Sequence, residues 1–162
     1  MRIHMGANYE GYELGRQLET HLKDSGHEVV WHGADFYDFE DDYPLFSMRV
    51  GQAVIADEDA ALEVRGIVVG GSGAGEVIAS NKVNGARAIA SISAEYVTHA
   101  RQHVNANILA IGAAFITLED AKSQIDALMN TKFLMVLDDA RRIVNTNEFE
   151  NSGTIEGWMI EH

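Results

Sequence analysis

The feature that most constrains this chain is an apolar strand pattern that runs directly into a glycine-rich turn. Residues 66–69, Gly-Ile-Val-Val, form a continuous run of the kind buried on both faces in parallel sheets. The run leads into Gly70-Gly71-Ser72-Gly73-Ala74-Gly75-Glu76 and then into a helix through about residue 81. Strand, tight loop and helix recur along the chain, which predicts an α/β fold with a five-stranded parallel sheet between two helical layers. Residues 2–6 read as the first strand. Leu14, Leu18 and Leu22 then recur every fourth residue as the stripe of a helix, which Gly26 ends. Residues 27–31 form the second strand and 35–42 an acidic, aromatic surface loop. Pro44 opens a second helix whose Leu45, Met48, Ala53 and Val54 face inward. Residues 86–92 and 108–111 supply the fourth and fifth strands, with helices at 94–103, 118–130 and 133–145. One domain over residues 1–146 is followed by a tail, 147–162, in which Trp158, Met159 and Ile160 are suited to docking.

Composition narrows the function. At 162 residues and 46% apolar, the chain suits one domain with a real core. It holds no cysteine, which removes thiolate nucleophiles, disulfides and Cys-based metal sites. Twelve Lys and Arg against 25 Asp and Glu give a net charge of -13, which repels nucleic acid and anionic membranes. No basic-then-apolar leader and no membrane-length apolar run is present, so a cytoplasmic enzyme or binding protein is expected.

The glycine loop lies where open parallel sheets bind ligands, beyond the carboxyl ends of the strands. It matches neither common phosphate loop. The dinucleotide fingerprint needs glycine where Glu76 stands, and the P-loop needs Lys and Ser/Thr where Glu76 and Val77 stand. Closely spaced glycines let backbone N–H groups converge, and the following helix adds its positive end. Such a cradle stabilises an oxyanion, while Glu76 takes a proton from carbon, the equipment for an enediolate intermediate. The structural alternative is a tight turn with Glu76 complementing the helix dipole.

Glu95, His99 and His103 are spaced four apart on one helix, a possible metal-ligand spacing that lacks a further ligand. No metal and no cofactor is expected. His103, at the helix end before Val104-Asn105-Ala106-Asn107, suits proton donation near the active edge of the sheet. His4, His21, His27, His32 and His162 read as structural or solvated.

With these residues in hand the chain resembles type B ribose-5-phosphate isomerases and the LacAB sugar-phosphate isomerases. The resemblance rests on Gly11-Tyr12-Glu13-Leu14, Asp42-Tyr43-Pro44, the glycine loop with Ala79-Ser80-Asn81-Lys82-Val83, Gly85-Ala86-Arg87-Ala88, and His103 with Asn105-Ala106-Asn107. It covers roughly residues 1–145. It implies a Rossmann-like fold, a metal-independent isomerase, and a homodimer or tetramer whose active sites are shared between subunits. One branch of the family uses a cysteine base on the strand, and Gly70 occupies that place. A second branch uses a glutamate in the run G-G-S-G-x-G-E, which this chain matches. The resemblance therefore implies Glu76 as base, Ser72 as a substrate contact, and Gly71, Gly73, Ala74 and Gly75 as the anion hole. It gives His103 to ring opening and Tyr43 to the substrate pocket. Asn8, Tyr9, Asn105 and Arg141 complete the expected binding set.

The departures bear on substrate. Asn8-Tyr9 replaces the usual Asp-His, and Val104 replaces an Asn. Ala114 aligns with a phosphate-binding arginine, and Asp138 and Asp139 align with an Arg-His pair, leaving Arg141 beside Arg142. The first expectation is thus an aldose–ketose isomerase for an unphosphorylated or atypical small sugar. The alternatives are an isomerase of ribose 5-phosphate or another pentose or tetrose phosphate, and a non-catalytic partner or binding subunit.

Overall fold

The computed structural model describes residues 1–155. Its sheet has five parallel strands, β1 (Arg2–Ala7), β2 (Glu28–Trp31), β3 (Val64–Gly70), β4 (Ala88–Ala90) and β5 (Ile108–Gly112), in the order β2-β1-β3-β5-β4. The central β3 pairs Val69 with Ala7 of β1 and Gly70 with Gly112 of β5. Among the described residues there are six α-helices: α1 (Tyr12–Asp24), α2 (Tyr43–Asp59), α3 (Ala74–Ser80), α4 (Ala94–Val104), α5 (Leu118–Asn130) and α6 (Leu137–Ser152). Single 3-10 turns, Tyr9–Gly11 and Ala113–Phe115, succeed β1 and β5.

Alternation along the strands divides the core in two. Ile3, Met5, Ile67, Val69, Leu109 and Ile111 pack with Leu18 and Leu22 of α1, Val97 of α4, and Ile125 and Leu128 of α5. Val64, Val68, Ile108 and Ala110 face the other way, onto Val50 and Val54 of α2. Both faces of β3 are therefore covered, which is why its sequence is apolar without alternation. Each of the buried Val, Ile, Leu and Met side chains contributes about 1.5–3 kcal/mol by leaving water.

Three elements differ from the sequence expectation. In α2, Phe46, Ser47, Val50, Gly51 and Val54 are buried, while Leu45 and Met48 are 51% and 37% exposed. The apolar residues nearly encircle its first turns, and packing rather than pattern fixes the phase. The fourth strand is only Ala88–Ala90, and side chains rather than a neighbouring strand take up the N–H groups at its entry. Asn81 Oδ1 accepts from the Ala88 N–H at 2.8 Å, and Asn107 Oδ1 accepts from the Arg87 N–H at 2.7 Å. The last helix begins at Leu137, after a stretch in which Met135 takes a φ of +57°, and continues past residue 146 to Ser152. Trp158, Met159, Ile160 and His162 lie outside the described residues. Among the described residues, no helix is long and apolar enough to cross a membrane.

Candidate active site

Proton transfer at carbon needs a carboxylate held out of water beside the reacting atom, and the carboxyl end of β3 supplies one. Glu76, in the first turn of α3, is 4% exposed. Its carboxylate lies over the Cα of Gly70, so closely that a Cβ on Gly70 would stand 1.8 Å from Glu76 Oε1. The base thus fills the space that a side chain at position 70 would take. Gly73 turns the loop with a φ of +79°, a left-handed conformation that glycine adopts without a steric cost. Burial pushes the Glu76 carboxyl above the ordinary glutamate range, a backbone hydrogen bond opposes this, and the charge of Glu10 raises it further. A carboxylate that holds its proton more firmly is also the stronger base once ionised.

The loop's other residues face different neighbours. Ser72 is exposed, and its Oγ accepts from the Ala74 N–H at 3.2 Å. The ring of Tyr43, 39% exposed, rests on the Cα of Gly75, where a Cβ would meet it at 2.4 Å. Gly71 opens onto a cavity of about 650 Å³ that is also lined by Tyr9, Glu10, Glu13, Tyr37 and Ala114. Ser72 faces a second cavity of about 340 Å³ beyond β4 and β5, with Ser91, Ser93, Ser123 and Gln124.

The expected first-turn residues divide. Tyr9 reaches the larger cavity, its ring edge-on to Tyr37 at 6.2 Å and its N–H donating to Asp41 Oδ1 at 2.8 Å. Asn8 is 4% exposed, and its Oδ1 accepts from the Gly11 N–H at 3.3 Å. Its side chain is engaged in capping the 3-10 turn.

His103, Asn105 and Arg141 lie elsewhere. The helix α4 runs back from β4 to the start of β5, so its end is at the amino edge of the sheet. The sequence reading placed His103 near the active edge; within one chain it sits at the opposite edge from the glycine loop. His103 Nδ1 lies 2.8 Å from Asp139 Oδ2, and its ring stacks on His99 at 4.5 Å. The contact with His103 holds the Asp139 carboxyl below its usual range. Asn105, with a φ of +51°, accepts through Oδ1 from Arg101 Nη1 at 2.9 Å. Arg141 pairs with Asp138 at 2.9 Å and Arg142 with Asp139 at 2.8 Å. Ala114, Asp138 and Asp139, which align with phosphate-binding residues of the family, therefore separate in a single chain: Ala114 is at the carboxyl edge and the two aspartates start α6. Among the described residues, no three His, Asp or Glu side chains gather as a metal-binding group.

Glu10 was missed by sequence reasoning. Its carboxylate rests on Gly71, where a Cβ would stand 2.7 Å from Glu10 Oε2. The signal available was position alone, since Glu10 lies in the first strand–helix turn, at the ligand-binding edge of such sheets.

A buried carboxylate base beside a glycine loop at the carboxyl end of a parallel sheet is suited to the aldose–ketose isomerases, which move a proton between neighbouring carbons through an enediolate. Known proteins narrow that class. The chain belongs to the Ribose/Galactose Isomerase family, whose model matches residues 3–145. A Mycobacterium leprae protein named ribose-5-phosphate isomerase B is 41% identical over 152 residues, 94% of this chain and 91% of that one. The Escherichia coli ribose-5-phosphate isomerase B is 32% identical, over 82% of this chain and 85% of its own. Among solved structures, the Clostridium thermocellum ribose-5-phosphate isomerase B matches with a TM-score of 0.85 and 35% identity, covering 95% of this chain and all 100% of its own. The Mycoplasma genitalium enzyme, solved with bound ribulose-5-phosphate, matches at 0.86 and 30%, over 93% and 97% of the two chains. The chain is an aldose–ketose isomerase with the α/β fold of these relatives.

Proposed function

We propose that this enzyme interconverts ribose 5-phosphate and ribulose 5-phosphate, with Glu76 as the base. The observation that carries the reading is the Glu76 carboxylate, buried and seated on Gly70 at the end of β3. Ionised Glu76 takes the proton from C2 of the open-chain aldose, and the C2–H electron pair becomes the C1–C2 double bond of an enediolate. The hydroxyl proton on the C2 oxygen then passes to the C1 oxygen, and Glu76 returns its proton to C1 as the carbonyl reforms at C2. The backbone N–H groups around Gly71, Gly73 and Gly75 receive the developing oxyanion, Ala74 holds Ser72 through its own N–H, and Ser72 and Tyr43 contact the sugar. His103, from a second copy of the chain, assists ring opening, and Asn105 and Arg141 accompany it. Every step uses side chains and backbone alone.

The expected unphosphorylated sugar gives way to a phosphate ester. That expectation rested on Ala114 in place of a phosphate-binding arginine and on an Arg-His pair replaced by the carboxylates of Asp138 and Asp139. Each is instead paired with an arginine, and Asp139 also with His103, so the segment's charge is largely balanced. The named relatives are ribose-5-phosphate isomerases, and one was solved with the phosphorylated ketose. Kinetic comparison of ribose 5-phosphate with ribose tests the reading. A higher kcat/KM for the phosphate ester is expected, and equal or better turnover of ribose contradicts it.

A further inference from the structure

The 3-10 turn after β1 sets a second carboxylate against the glycine loop. Gly11 sits on the end of β3 so closely that a Cβ there would be 2.2 Å from the Val69 carbonyl oxygen. Asn8 ties the other end of the turn through the Gly11 N–H. Between these anchors Glu10 covers Gly71, as Glu76 covers Gly70, so two carboxylates flank consecutive residues of the loop. Their circumstances differ: Glu76 is buried, whereas Glu10 is exposed to the cavity that holds Tyr9, Tyr37 and Ala114. No lysine or arginine lines that cavity among the described residues, and Glu13 adds another negative charge to its wall.

We propose that Glu10 is a specificity-determining residue of the isomerase site, accepting sugar hydroxyls beside Gly71 and turning the substrate's phosphate away from the Tyr9–Ala114 cavity. The inference rests on the isomerase reading and adds to it the direction in which the sugar lies. An ionised carboxylate only accepts hydrogen bonds, so it suits a hydroxyl and opposes a phosphate, which offers mainly acceptor oxygens and negative charge. The phenols of Tyr9 and Tyr37 extend the same hydroxyl-binding wall. The charge of Glu10 also reaches across the loop, since it contributes to the raised proton affinity of Glu76.

The test compares wild type with Glu10→Gln, which keeps the shape without the charge, and Glu10→Asp, which keeps the charge. Inorganic phosphate is titrated against each protein and followed at the amide signals of Gly71 and Ala114. In parallel, kcat/KM for ribose 5-phosphate is measured against pH. The expected result is phosphate binding at these amides tightened roughly threefold or more in Glu10→Gln, less so at high salt, with Glu10→Asp close to wild type. The acid limb of the Glu10→Gln profile moves to lower pH, because an opposing charge beside the base has gone. Unchanged phosphate affinity at both amides together with an unmoved limb overturns the proposal. Should wild type turn over neither ribose nor its phosphate, the isomerase reading fails, and the phosphate titration, which needs no turnover, still decides the charge effect of Glu10.

Discussion

Gly70 shows how much of this site depends on one missing atom. A methyl group there would overlap the Glu76 carboxylate, at 1.8 Å from Oε1, so Gly70→Ala forces the base aside without touching its chemistry. A displacement of about 1 Å costs on the order of 10²-fold in rate when geometry controls the step. Gly70→Ala is therefore expected to fold and to lose about that much kcat, which steady-state kinetics with circular dichroism will check; full activity would contradict the seating of Glu76. At this scale the position of Glu76 at the glycine loop was legible, because the carboxylate itself excluded the common phosphate loops, whereas Ser72 was singled out by the resemblance alone. It was silent on Glu10, whose role depends on a contact between distant parts of the chain. It also could not show that Asn8 spends its side chain on a cap, since a capping amide and a ligand-binding amide look alike in sequence.

The elements were legible wherever pattern and packing agree. The leucine stripe of α1 and the limits of α5 follow from their periodicity, and the unbroken apolar run of β3 from burial on both faces. The phase of α2 was not legible, because Leu45, Phe46, Met48 and Val50 offer apolar faces in several directions. The start of α6 was obscured by Leu134, Met135 and Val136, which are apolar yet exposed in the single chain. The shortness of β4 reflects Asn81, which both accepts from the Ala88 N–H and donates to the Ala88 carbonyl at 3.0 Å. Asn81→Ala leaves both groups unpaired at the sheet edge. A loss of about 1–2 kcal/mol in denaturant unfolding is expected; an unchanged midpoint would mean that water replaces the amide fully.

At the scale of the whole molecule, the sheet stands between the two groups to which the proposed mechanism gives roles. Glu76 is at the carboxyl edge and His103 at the amino edge, so the proposed site requires two copies. The resemblance in sequence implies such sharing, and the run of α4 back to the start of β5 keeps His103 away from the glycine loop of its own chain. Mixed dimers of Glu76→Gln and His103→Ala chains offer a direct check. One site in each mixed dimer keeps both native groups, so unfolding and reassembling the two variants together should restore about a quarter of wild-type activity if subunits pair at random. No recovery from dimers shown to be mixed would contradict the shared site. The central claim, that Glu76 moves the proton, has a more immediate measurement. Ribose 5-phosphate in deuterium oxide exchanges its C2 hydrogen only when a base removes it, and proton NMR reads the loss of that signal. The account predicts exchange with the wild-type enzyme and a rate roughly 10²–10⁴ lower in Glu76→Gln; exchange at the wild-type rate in that variant would contradict it.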